Sequence, residues 1–160
     1  MAAILFVCLG NICRSPMAEG AVRHAADRAG VTGLHLDSAG TGSWHVGDPP
    51  DPRARETAAR NGVDISTQRA RQATADDFHR FDLIAAMDRS NLAALERLRP
   101  QHAHARLCLF LDYAGGSGLA DVPDPYYGAE GGFDHVWSLV THAADGLVAA
   151  LARGDDFRHG

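Results

Sequence analysis

Ile4-Leu5-Phe6-Val7-Cys8-Leu9-Gly10-Asn11-Ile12-Cys13-Arg14-Ser15-Pro16 opens the chain with an apolar run that stops at a cysteine, crosses a short loop and meets an arginine just ahead of a proline. Residues 4 to 8 are continuously apolar with β-branched and aromatic members, the pattern of a strand covered on both faces in a parallel sheet. Ser15 followed by Pro16 is a cap and first-turn signal, so a helix is expected to start there. Met17, Ala18, Ala21, Val22 and Ala25 recur at helical spacing, and Gly30 is placed to end that helix. Five residues separate Cys8 from Arg14. A loop that tight can turn several backbone N–H groups onto one tetrahedral anion while the guanidinium closes over it.

The same alternation continues downstream. Leu34 to Ala39 reads as a second strand, and Gly40 to Gly47 as an irregular loop. Asp51-Pro52 repeats the cap-plus-proline signal for a helix that Gly62 stops. Asp82 to Met87 reads as a third strand, Ser90 to Arg99 as a helix with Leu92, Leu95 and Leu98 on one side, and Leu107 to Leu111 as a fourth strand. Asp112 to Gly132 has no period and is rich in Gly, Pro and Asp, which for a loop of that length points to function. A last helix follows, with Phe133, Val136, Trp137, Val140, Ala144, Leu147, Val148 and Leu151 as its apolar stripe and Gly146 as a weak point. Residues 1–153 are expected to form one domain and 154–160 a flexible tail. Strands alternating with helices imply an α/β fold with a doubly wound parallel sheet. Ligands in such sheets sit beyond the strand carboxyl ends, which is where the loop from Cys8 to Arg14 lies.

Composition narrows the function classes. The 160 residues carry 15 Lys+Arg against 20 Asp+Glu, a formal charge of -5, which argues against broad binding to nucleic acid or an anionic membrane. An anion site in such a chain has to be local. The apolar start has no basic flank and is too short for a secretion signal or a membrane span. Three cysteines do not form a disulfide framework and fit a reducing compartment, so the cytoplasm is the expected location. Nine histidines are scattered without a metal-binding pattern.

A thiol attacks a phosphate ester only as the thiolate, and a free cysteine near neutral pH is mostly protonated. The positive end of the helix near Ser15, the N–H groups of residues 9 to 14 and the Arg14 cation all favour a thiolate at Cys8, and they favour a phosphate dianion equally. The Ser15 hydroxyl can also donate to the sulfur. Gly10 permits close backbone approach, and Asn11 tolerates a left-handed conformation. The leaving oxygen needs a proton that the thiolate cannot give. Asp124, stiffened between Pro123 and Pro125, is the candidate acid, with Asp88 next in line. Tyr126 and Tyr127 on one side and Trp44 on the other are candidate walls of a slot for a flat phenyl phosphate.

Cys8-Leu9-Gly10-Asn11-Ile12-Cys13-Arg14-Ser15-Pro16 with Asp124-Pro125-Tyr126-Tyr127 resembles the low-molecular-weight protein tyrosine phosphatases. The resemblance extends through Asp37-Ser38-Ala39-Gly40-Thr41, Trp44, Asp51-Pro52-Arg53-Ala54, Arg71-Gln72 and Met87-Asp88-Arg89-Ser90-Asn91, covering nearly the whole chain. It implies a four-stranded parallel sheet in order 2-1-3-4 with helices on both faces, a phosphate-binding loop after strand 1, and no metal or organic cofactor. By position it implies Cys8 as nucleophile through a phosphocysteine, Arg14 as phosphate clamp, Asp124 as acid and then base, residues Leu9 to Ser15 as the anion cradle, and Asn11 and Ser38 as braces. The implied partners are tyrosine-phosphorylated proteins and phosphate-like anions, on a monomer or weak dimer. Members of that family often carry a histidine near the position of Gln68, so a supporting role for that side chain does not carry over.

Three other functions compete. A thiol-dependent arsenate reductase of similar fold needs resolving cysteines beyond the loop, and only Cys108, in an expected buried strand, remains. Phosphoarginine hydrolysis is performed by resembling enzymes with a threonine where this chain has Ile12, and the apolar Ile12 favours an aryl substrate. A non-catalytic phosphopeptide-binding module has no need of Cys8, Arg14 and Asp124 together. Cys13 has two open readings: loop packing, or a partner that traps oxidised Cys8 as a disulfide.

Overall fold

The structure is a computed structural model that describes residues 2–115, 121–126 and 132–155. Its strands are β1 (Ala3–Cys8), β2 (His35–Gly40), β3 (Leu83–Ala86) and β4 (Arg106–Leu109), all parallel in the order β2-β1-β3-β4. Helices α1 (Arg14–Ala29), α2 (Pro52–Arg60), α3 (Asp77–Arg80), α4 (Arg89–Leu98) and α5 (Gly132–Ala152) surround the sheet, with a 3-10 turn at Phe110–Ala114. Residues 156–160, most of the expected tail, and Tyr127 lie outside the described residues.

The unbroken apolar run of β1 is explained by its two faces. Ile4, Phe6 and Cys8 pack with Met17, Val22, Val136 and Leu147 of α1 and α5. Leu5 and Val7 alternate onto the other face with Phe78, Phe81 and Leu95. Because β2 and β3 flank β1 on opposite sides, the chain segments leaving the carboxyl ends of β1 and β3 diverge and open a crevice there. Among the described residues no helix is long and apolar enough to cross a membrane.

Several local expectations need correction. Ser15 does not cap α1: the helix begins at Arg14, two residues before the expected first position at Pro16, Cys13 occupies the cap position, and no side chain among the described residues caps it. The Ser15 hydroxyl is 3.0 Å from Cys8 Sγ instead. Strand β4 ends at Leu109, and Phe110 and Leu111 belong to the 3-10 turn, where their burial in the core accounts for the apolar run continuing past the strand. The short helix α3 is an addition that no sequence period announced. Elsewhere the signals hold. Gly30 takes a left-handed conformation at φ 71 behind α1, and the Asp51 carboxylate caps α2 by accepting the Arg53 N–H at 2.8 Å.

Candidate active site

Cys8 is the last residue of β1, and the loop that follows folds back over its sulfur. Asn11 makes this possible by adopting φ 58, a left-handed conformation that asparagine tolerates, and its backbone N–H then points at Cys8 Sγ from 3.3 Å. The Asn11 side chain is held on three sides. Its Oδ1 accepts the Arg71 N–H at 2.9 Å, while Nδ2 donates to Ser15 Oγ and to Ser38 Oγ, both at 2.9 Å. Ser15 Oγ therefore receives a proton from Asn11, and its own hydroxyl proton is left for Cys8 Sγ at 3.0 Å. The Cys8 sulfur thus has two directed hydrogen-bond contacts, to the Ser15 hydroxyl and the Asn11 N–H. The loop is tied to α2 through the Asp51 N–H, which donates to the Ile12 carbonyl at 2.8 Å.

Arg14 is the first residue of α1 and is 2% exposed. Its Nη1 donates to Asp88 Oδ2 at 2.6 Å and to the Val122 carbonyl at 3.1 Å, and Nη2 lies 3.6 Å from Asp124 Oδ2. Burial works against the guanidinium charge, but the Cys8 sulfur and the Asp88 carboxylate outweigh it and raise the pKa above the ordinary arginine value. Its Nε is buried with no hydrogen-bond partner among the described residues. A buried donor left open in this way calls for an acceptor that arrives from outside.

Asp124 reaches the site on a segment anchored two residues earlier. Val122 is fully buried, and its N–H donates to the Met87 carbonyl at 2.8 Å, so the segment is pinned where β3 ends. Asp124 Oδ1 then accepts the Tyr126 N–H at 3.1 Å, and the carboxyl remains 41% exposed. Cys8, Arg14 and Asp124 line one cavity of about 410 Å³. Leu9, Gly10, Ile12 and Cys13 line it as well, while Asn11 and Ser15 are buried behind it. Trp44, 72% exposed, and Tyr126 form its outer walls. Ser38 contacts Asn11 and not the cavity.

Residues 3–156 match the family described as low molecular weight phosphotyrosine protein phosphatase. The chain belongs to that family. A low molecular weight phosphotyrosine protein phosphatase of Schizosaccharomyces pombe is 42% identical over 151 residues, covering 93% of this chain and 96% of the relative. A protein tyrosine phosphatase from Entamoeba histolytica, solved with Hepes in its active site, superposes with a TM-score of 0.90 at 35% identity, covering 96% of this chain and 99% of that one. A Drosophila arginine phosphatase superposes with a TM-score of 0.89 at 31% identity, covering 97% and 100%. The four-stranded parallel sheet in order 2-1-3-4 is thus the fold of this phosphatase family.

Within this phosphatase site, His45 and Val122 escaped the sequence reading, and Asp88 makes contacts that the reading did not expect. His45 lines the cavity beside Trp44, tilts its ring over Tyr126 at a centroid distance of 6.3 Å, and is held by Asp48 at 3.3 Å. Val122 anchors the Asp124 segment. Asp88, read as a reserve acid, is occupied twice: Oδ2 holds Arg14, and Oδ1 caps α4 by accepting the Asn91 N–H at 2.7 Å. Its place after a strand and before a helix was the available signal. Cys8 and Cys13 are both free thiols, and Cys13, whose pKa is raised first of all by burial, sits on the cavity wall.

Proposed function

We propose that the protein hydrolyses phosphotyrosine in proteins or peptides through a phosphocysteine on Cys8. The observation that carries this reading is the convergence of Cys8 Sγ, the open Nε and Nη2 edge of Arg14, and the Asp124 carboxyl on one cavity. The Cys8 thiolate attacks phosphorus, a P–S bond forms, and the P–O bond to the phenol breaks as Asp124 passes its proton to the leaving oxygen. Asp124, now a carboxylate, takes a proton from a water whose oxygen attacks the phosphocysteine. The P–S bond breaks, inorganic phosphate forms, and the sulfur leaves as a thiolate that the Ser15 hydroxyl and the Asn11 N–H receive. Arg14 and the loop N–H groups hold the equatorial phosphoryl oxygens throughout. No step calls for a metal or an organic cofactor.

Cavity depth and wall chemistry support an aryl ester. Cys8 is 2% exposed at the floor, and the walls of Trp44, His45 and Tyr126 suit a flat ring more than a short aliphatic phosphate. Phosphoarginine is the second reading, since the fold is shared with an arginine phosphatase. Against it stands Ile12, which gives the cavity an apolar wall with no hydrogen-bonding group for a guanidinium. Purified protein assayed in parallel on phosphotyrosine, phosphoserine and phosphoarginine peptides is expected to show its highest kcat/KM on phosphotyrosine. A preference for phosphoarginine would transfer the assignment.

A further inference from the structure

Arg53, the second residue of α2, joins the side of the site that carries the phosphate loop to the side that carries Asp124. Its Nε and Nη2 donate to the two oxygens of the Asp51 carboxylate, at 3.0 and 2.9 Å. Asp51 is buried ahead of α2, and its own N–H is the one that donates to the Ile12 carbonyl of the loop at 2.8 Å. Burial works against the Asp51 charge, but the bonds from Arg53 outweigh it and hold the carboxyl below its ordinary pKa. The other end of the guanidinium crosses to the acid segment. Nη1 donates to the Tyr126 carbonyl at 3.3 Å, and Cζ lies 5.4 Å from the Tyr126 ring centroid and 4.7 Å from that of Phe133 at the start of α5.

Tyr126 is the residue that orients the acid. Its N–H is taken by Asp124 Oδ1 at 3.1 Å, which leaves Oδ2 on the side of Arg14 Nη2, 3.6 Å away. Asp124 therefore sits between two holds: Val122, whose N–H is on the Met87 carbonyl, and Tyr126, whose carbonyl and ring are on Arg53. We propose that Arg53 is a positioning residue for the general acid: by fixing Tyr126 to the Asp51 end of the phosphate loop, it keeps the Asp124 carboxyl aimed at the leaving oxygen. The proposal rests on the reading of Asp124 as that acid. A guanidinium suits the task because its planar fork grips a carboxylate along one edge and sets the third nitrogen at a fixed distance and angle. Arg53 is half exposed and outside the lining of the cavity, so removing it leaves Cys8, Arg14 and the loop in place. The α2 cap survives as well, since Asp51 takes the Arg53 backbone N–H, which every substitution except proline keeps. What is lost is the aim of the proton and not the grip on phosphate.

The dependence on the leaving group separates aim from grip. Phenyl phosphate has a poor leaving group that needs a proton, whereas dinitrophenyl phosphate has one that departs without it, and kcat/KM on each reads formation of the phosphocysteine. Arg53→Ala is expected to lower kcat/KM on phenyl phosphate by about 10- to 100-fold and on dinitrophenyl phosphate by less than about threefold, with competitive inhibition by inorganic phosphate unchanged. In a protein that already carries Asp124→Asn, Arg53→Ala is expected to cause no further loss on phenyl phosphate, because the group it aims has no proton to give. If Arg53→Ala fails to fold by circular dichroism, Arg53→Gln, which cannot reach Asp51 and the Tyr126 carbonyl at once, is measured in its place. An unchanged rate on phenyl phosphate overturns the proposal. So do an equal loss on both esters, weakened inhibition by phosphate, or an undiminished loss in the Asp124→Asn background, each of which would make Arg53 a binding or merely structural residue. Failure of the acid reading shows separately, as an Asp124→Asn protein that keeps the natural kcat/KM on phenyl phosphate.

Discussion

Arg14 Nη2 stands 3.6 Å from Asp124 Oδ2, although one residue opens α1 and the other lies on a segment reached only after β4 and the 3-10 turn. The far edge of the same guanidinium is fixed by Asp88 at 2.6 Å and the Val122 carbonyl at 3.1 Å. Those two contacts leave Nη2 and the unpartnered Nε as the free edge. An anion gripped by that edge would sit beside the Asp124 carboxyl, which is the relation that the proposed roles of Arg14 as phosphate clamp and Asp124 as acid require.

Asp124→Asn keeps the shape of the carboxyl and loses its proton. We expect kcat on a phosphotyrosine peptide to fall by about 10²- to 10⁴-fold. A rate that needs an ionised thiol and a protonated acid at once should be bell-shaped in pH. In the natural enzyme it falls as pH rises and Asp124 ionises, whereas the asparagine has no proton to lose and its alkaline limb should be flat. A pH–rate profile that keeps its alkaline limb in the variant would move the acid elsewhere.

Asp88→Ala removes a cap and the anchor of a buried cation at once. The lost cap on α4 costs about 1 kcal/mol, and stranding Arg14, at 2% exposure, adds to it, for a total of about 2–4 kcal/mol in chemical denaturation. With its guanidinium free to turn, kcat/KM should drop by about 10- to 100-fold. Asp88→Asn can retain the cap and is expected to recover most of the stability. Natural stability and activity in Asp88→Ala would contradict the anchoring role.

Gly146 shows where sequence reasoning reaches its limit. Read along the helix, it is a weak point that alanine should improve by about 1 kcal/mol. In the fold, a Cβ at that position would run directly into the backbone carbonyl of Tyr113, because α5 lies against the 3-10 turn. Overpacking of this kind costs about 1–3 kcal/mol, and backbone is less able to yield than a side chain. Gly146→Ala is therefore expected to lower the thermal midpoint; a raised midpoint would show that the helix has room to shift.

The parts of the molecule legible in the sequence were those written in periodicity or in closely spaced residues. The β1 run, the spacing from Cys8 to Arg14, the Asp51-Pro52 cap and the strand-helix alternation all belong to that class. The misread parts depend on single long-range contacts. Of the two readings of Ser15, helix cap and donor to the Cys8 sulfur, only the second holds, because Cys13 occupies the cap position. Asp88 looks like a spare acid until Arg14 is found on it. Val122 is an ordinary apolar residue whose value lies in pairing with the end of β3, and His45 acquires a role only once the loops after β1 and β2 meet.

The most direct test of the account is the turnover of Cys8→Ser on a phosphotyrosine peptide, measured together with its binding of inorganic phosphate. A serine hydroxyl at that position cannot supply the thiolate, while Arg14 and the loop N–H groups remain. The account predicts loss of measurable turnover with phosphate still bound; a variant that turns over at the natural rate would contradict it.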